Sequence, residues 1–105
     1  MKNLRQAQVI VKKIDAKYNV FGNEKSVKWN QIYQSEAEIL NDLKQIHIPE
    51  SKELYLVGKL YKGYNYIHSF AKQVQNGKVL SDKQMTQCKR LALEIKKAVS
   101  IKDCF

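Results

Sequence analysis

Apolar positions recur at alternating spacings of three and four residues in four successive stretches of the chain, a pattern that predicts a mainly α-helical protein. In the first, Leu4, Ala7, Val11, Ile14 and Tyr18 share one helix face, with Ile10 alongside. A strand through Gln8-Val9-Ile10-Val11 competes with that reading. It would lead into a short β-hairpin near residues 17–29, with Gly22-Asn23 turning between Tyr18–Phe21 and Val27–Trp29. The second stretch uses Trp29, Ile32, Tyr33, Ile39, Leu40, Leu43 and Ile46. It reads either as one helix over about 27–47 or as an extended piece followed by a helix from 36, where Ser35 and Glu38 form a capping box. The third stretch is a continuous apolar line through Leu54, Val57, Tyr61, Tyr64, Ile67 or His68, Ala71 and Val74. The fourth buries Met85, Cys88, Leu91, Ala92, Ile95, Ala98 and Val99 along one side.

Start and stop signals separate these stretches. Ile48-Pro49-Glu50 breaks the second helix and places proline near the first turn of the next. Gly58 and Gly63 mark a kink or a close helix contact, and Asn76-Gly77 ends the third helix because glycine accepts the left-handed conformation of a helix terminus. The strongest signal is Leu80-Ser81-Asp82-Lys83-Gln84-Met85. There Ser81 and Gln84 form a reciprocal capping box, Leu80 and Met85 a hydrophobic staple, and Asp82 sits on the positive helix end. With one proline and four glycines, the chain is expected to fold as a single compact domain of about four helices, residues 1–105.

Charge changes the picture from fold to surface. The 105 residues carry a formal net charge of +9, with both ends basic and the second quarter, holding Glu36, Glu38 and Asp42, mildly acidic. Such an excess gives solubility and attraction to polyanions through counterion release. Two cysteines, Cys88 and Cys104, are too few for a disulfide framework, which suits a reducing compartment. No secretory leader and no apolar run of about twenty residues is visible, so a cytoplasmic location away from membranes is expected.

The last helix carries the best candidate surface. Lys83, Arg90 and Lys97 recur every seven residues opposite the apolar stripe, flanked by Lys89 and Lys96. A row of cations on a rigid helix can track phosphates, and lysine as the main cation favours backbone attraction over base reading. Both Arg90 and Lys97 are expected to point away from the core. Tyr55, Lys59, Lys62 and Tyr66 form a second candidate, because aromatic rings among lysines can stack unpaired bases or anchor a protein partner. Tyr61, Tyr64 and Trp29 fit core positions better.

Catalytic and metal chemistry lacks a pattern. His47 and His68 stand alone without ligand spacing, Cys88 falls on the buried stripe, and Gly58 and Gly63 are not a phosphate loop. Glu36, Glu38 and Asp42 read as a solvated face. No cofactor, metal, small-molecule substrate or catalytic residue is therefore expected.

The segment Phe70-Ala71, then Gly77-Lys78-Val79-Leu80-Ser81-Asp82-Lys83-Gln84, and on to Leu91 resembles helical-hairpin modules of phage and mobile-element DNA-processing proteins. The small basic chain, rich in lysine, isoleucine, asparagine and tyrosine, is similar in character to phage accessory proteins, a class that includes anti-CRISPR inhibitors. That likeness implies a non-catalytic protein that engages a nucleic-acid-processing complex through its RNA or DNA, or through the groove that holds it. The competing expectation is a helical interaction module or homo-oligomer that uses an aromatic face without nucleic acid.

Overall fold

A computed structural model describes residues 3–18 and 28–105. Six α-helices follow in order: α1 (Leu4–Lys17), α2 (Glu36–Gln45), α3 (Leu54–Val57), α4 (Tyr64–Gln75), α5 (Asp82–Arg90) and α6 (Ala92–Ser100). Short 3₁₀ turns lie at Trp29–Gln31, Ser51–Glu53 and Lys102–Cys104, and the described residues contain no strand. The mainly helical class is as expected, in six pieces among the described residues where the sequence pattern predicts about four.

The first stretch is helix, so the strand through 8–11 is not formed; Ala7 and Val11 supply its buried positions. The hairpin expected near 17–29 lies largely outside the described residues, with Lys17 helical and Trp29 in a 3₁₀ turn at its borders. The second stretch is not one helix from 27. Its helix begins at Glu36, where Ser35 Oγ accepts from the Glu38 amide at 3.4 Å and the Glu38 carboxylate accepts from the Gln34 amide. Its far end is closed from another helix: the Gln75 side-chain amide donates to the carbonyls of Leu43 at 3.1 Å and Ile46 at 2.9 Å. Two carbonyls that a helix terminus leaves without partners are satisfied in this way.

The third and fourth stretches are each divided. Gly63 takes φ 70°, in the left-handed region, and with the turn after Val57 it splits the apolar line into α3 and α4. At α4's end, Gly77 at φ 81° forms a Schellman closure, with Lys78 N–H on Gln73 O at 2.8 Å and Gly77 N–H on Val74 O at 3.0 Å. The capping box then starts α5: Ser81 N–H donates to Gln84 Oε1 at 2.9 Å and Gln84 N–H to Ser81 Oγ at 3.2 Å. Leu91, at φ −100° and ψ 14°, separates α5 from α6.

Every helix contributes to the core, α4 and α6 the most. Ile39 and Leu43 of α2, Val57, Ile67, Cys88 and Ile95 are fully buried together with Ile101. α2 packs against α4 and α6, and α6 also packs against α1. Covered on two sides, α6 buries Ala92, Ile95, Lys97, Ala98 and Val99. The molecule is a thin body with extents of 34 × 33 × 18 Å. No helix among the described residues is long and apolar enough to cross a membrane.

Candidate functional site

The basic row expected on the last helix does not stay in one row. A seven-residue repeat keeps its face only while the helix is continuous, and the break at Leu91 and the second covered side of α6 change what each cation meets. Lys83 and Arg90, both on α5, are exposed and have no ion-pair partner among the described residues. Lys89 Nζ lies 2.6 Å from Glu36 Oε2 and 4.8 Å from the centroid of the Trp29 ring. Lys96 Nζ lies 5.5 Å from the Tyr33 centroid, and the Tyr33 hydroxyl donates to Asp42 Oδ2 at 2.7 Å. Burial and this bond to Asp42 hold the Tyr33 phenol well above its ordinary range. Part of the acidic stretch of α2 is therefore used internally by the basic row, and is not simply solvated.

Lys97 departs furthest from expectation. Only 6% exposed, it points into the body of the protein, and its Nζ sits 2.6 Å from Asp15 Oδ1 and 2.8 Å from Glu94 Oε2. Burial works against its charge, but the two carboxylates together outweigh burial and hold the ammonium above its ordinary range. The two contacted oxygens have no other hydrogen-bond donor. Lys97 is thus a strut between α1 and α6, because an isolated ion at that depth would be too costly.

Beside this strut lies a cleft of about 450 Å³ between α1, the 58–62 turn and α6. Its border carries Lys12 from α1 and Lys59 and Lys62 from the turn, all exposed. The turn is docked onto the α5–α6 junction: the Lys62 amide donates to Glu94 Oε1 at 3.1 Å, and Gly63 faces Leu91. A Cβ at Gly63 would stand 2.8 Å from Leu91 Cδ2. Next to the cleft, Lys59 Nζ lies 5.8 Å from the centroid of Tyr55, a ring 66% exposed. Tyr66 is also exposed, but its ring pairs with Phe70 at 6.4 Å between centroids on α4.

Of the residues singled out in the sequence, Lys59, Lys62 and Tyr55 thus come together, Lys83 and Arg90 are exposed on α5, and Lys97 belongs to the interior. Sequence reasoning missed Lys12, Asp15 and Glu94. The available signals were a lone acid on the inward side of the basic helix α1 and Glu94 placed one helical turn before Lys97.

The two histidines have structural partners. His68 is buried and shares a 2.6 Å hydrogen bond with the Tyr61 hydroxyl. Burial, followed by Lys72 and His47, lowers its pKa to about 4, so the imidazole that shares this bond is neutral at neutral pH. His47 stacks on Phe105 at 4.7 Å. Cys88 and Cys104 are free and buried, and burial pushes the Cys88 thiol up to about 11. Among the described residues no three His, Cys, Asp or Glu side chains are grouped to hold a metal ion. No protein-family model, curated protein or solved structure matches the chain significantly.

Proposed function

We propose that this chain is a non-catalytic binding protein that engages a nucleic-acid-processing complex, with the cleft bordered by Lys12, Lys59 and Lys62 as the contact for its nucleic acid. The observation that carries the reading is the convergence of three exposed cations from two separate segments on one cleft, beside the exposed ring of Tyr55. Lysines grouped on packed elements attract a phosphate chain through counterion release, and an adjacent ring offers a stacking face for an unpaired base. Lys83 and Arg90 add exposed cations on α5. The likeness in character to phage accessory proteins, anti-CRISPR inhibitors among them, makes a host CRISPR-type defence nuclease the complex to test first, in the cytoplasm of the infected cell.

The deciding experiment is capture of partners from host lysate with and without nuclease, paired with binding of a labelled single strand at several salt concentrations. Reversal of Lys59 and Lys62 to glutamate should weaken binding at least tenfold and make the remaining affinity less sensitive to salt. Unchanged affinity in a folded double variant would remove the cleft from the contact.

A protein-only interface is the second reading. It rests on Val79, 92% exposed at the tip between α4 and α5, beside a groove of about 380 Å³ that Leu40, Val74, Leu80 and Met85 help to line. Nuclease-resistant capture, or self-association abolished by Val79→Lys, would favour it.

A further inference from the structure

The cleft that the proposed function assigns to phosphate carries a second chemistry, which attraction to a phosphate chain does not use. Asp15, with its side chain 17% exposed, gives Oδ1 to Lys97. Its other oxygen, Oδ2, has no partner among the described residues, although Asp15 lines the cleft. Glu94 differs, since Oε1 accepts from the Lys62 amide and Oε2 faces Lys97. Two carboxylates against one ammonium leave the inner part of the cleft with an excess of negative charge, while three lysines stand at its border. An occupant therefore needs an anionic group outside and a neutral hydrogen-bond donor inside. A simple anion pushed toward Asp15 would be repelled.

We propose that the cleft binds one ribonucleotide unit of the nucleic acid, with its phosphate among Lys12, Lys59 and Lys62 and its ribose 2′-hydroxyl donating to Asp15 Oδ2. The inference rests on the reading of the cleft as a nucleic-acid contact and deepens it from polyanion to RNA. A carboxylate is a good acceptor for a ribose hydroxyl, and the 2′-hydroxyl is the group by which a site tells RNA from DNA. The volume of about 450 Å³ lies within the range of small-ligand pockets, about 300–1,000 Å³. Tyr55 lies outside the cleft's lining and is reached through Lys59, so its ring is available to a base that extends past the lysines.

Calorimetric titration of the intact chain with AMP, 2′-deoxy-AMP and inorganic phosphate tests this directly, alongside single-stranded RNA and DNA of one sequence. AMP should bind about tenfold more tightly than 2′-deoxy-AMP, the usual scale for a hydrogen bond to a charged group, and inorganic phosphate more weakly than either. Asp15→Ala, checked for folding by circular dichroism, should abolish the ribose preference; Lys59→Gln with Lys62→Gln should weaken both nucleotides alike. Equal affinity of the wild-type chain for AMP and 2′-deoxy-AMP overturns the inference without reliance on any variant, and so does failure of both to bind. If RNA and DNA strands bind equally and the lysine variants weaken both, the nucleic-acid reading stands and the ribose contact falls. If neither strand binds, both fall.

Discussion

Where α5 and α6 border α2, the lysines stay near the surface: Lys89 leans on Glu36 and Trp29, and Lys96 lies over Tyr33. Where α6 borders α1, Lys97 is enclosed between Asp15 and Glu94. The residues are of one type and within eight positions of each other, yet only the second site is buried enough for its charge to matter to the fold. Near the surface, water competes for each partner and an ion pair contributes little. In the interior the pair is obligatory, since removing one member strands the rest. The number of lysines on a helix therefore overstates the charge available to a partner, and the cleft border, where Lys12, Lys59 and Lys62 have no acidic partners among the described residues, holds more of it than the row on the last helix.

The sharpest way to break this contrast is to remove the enclosed ammonium. Lys97→Ala leaves two carboxylates facing each other in the interior and should cost about 4 kcal/mol in urea unfolding. Lys89→Ala should cost less than about 1 kcal/mol. Equal losses would show that the two environments are alike.

Acid provides the next largest effect on the cleft side, through His68 beneath the turn that bears Lys59 and Lys62. Its folded pKa of about 4 lies below the ordinary 6.5, so the unfolded chain binds the extra proton first. Stability is complete above about pH 6.5 and is lost as pH falls toward 4, by at most about 3 kcal/mol. Denaturation midpoints at pH 7.5, 5.5 and 4.5 measure this, and His68→Gln should flatten the dependence in that window.

A smaller effect separates two glycines with the same backbone conformation. Gly63→Ala meets both the left-handed strain and Leu91, whereas Gly77→Ala has open space around the new Cβ. The losses should be about 2 kcal/mol and about 1 kcal/mol respectively. Thermal melts of the two variants compare them. Arg90→Glu should be the mildest, within about 0.5 kcal/mol of the native chain, because its side chain is exposed and without an ion-pair partner among the described residues.

Local signals survived folding better than long-range periodicity did. The capping box at Ser81, the helix from Glu36 and the glycine stop at Gly77 depend on residues within one turn of each other, so their chemistry is complete in the sequence. The apolar lines through 54–74 and 82–99 were equally regular but conceal breaks. Periodicity records which positions are buried and not whether the backbone between them is continuous: the turn around Gly63 and the junction at Leu91 return apolar side chains to the same core. The site was less legible still. Tyr55, Lys59 and Lys62 are neighbours in sequence and could be grouped in advance, but Lys12 reaches them only through the packing of α1 on α6. The inward course of Lys97 required knowing that α6 has two covered sides.

The two enclosed thiols turn the molecule into its own clock. Cys88 and Cys104 are free and buried, and burial keeps each thiol above its ordinary range. An alkylating reagent at neutral pH can reach them only during openings of the structure. Because Cys88 sits in α5 and Cys104 in the final turn, their separate labelling rates report how often α5 and that turn come away from the core, with no probe added to the native sequence.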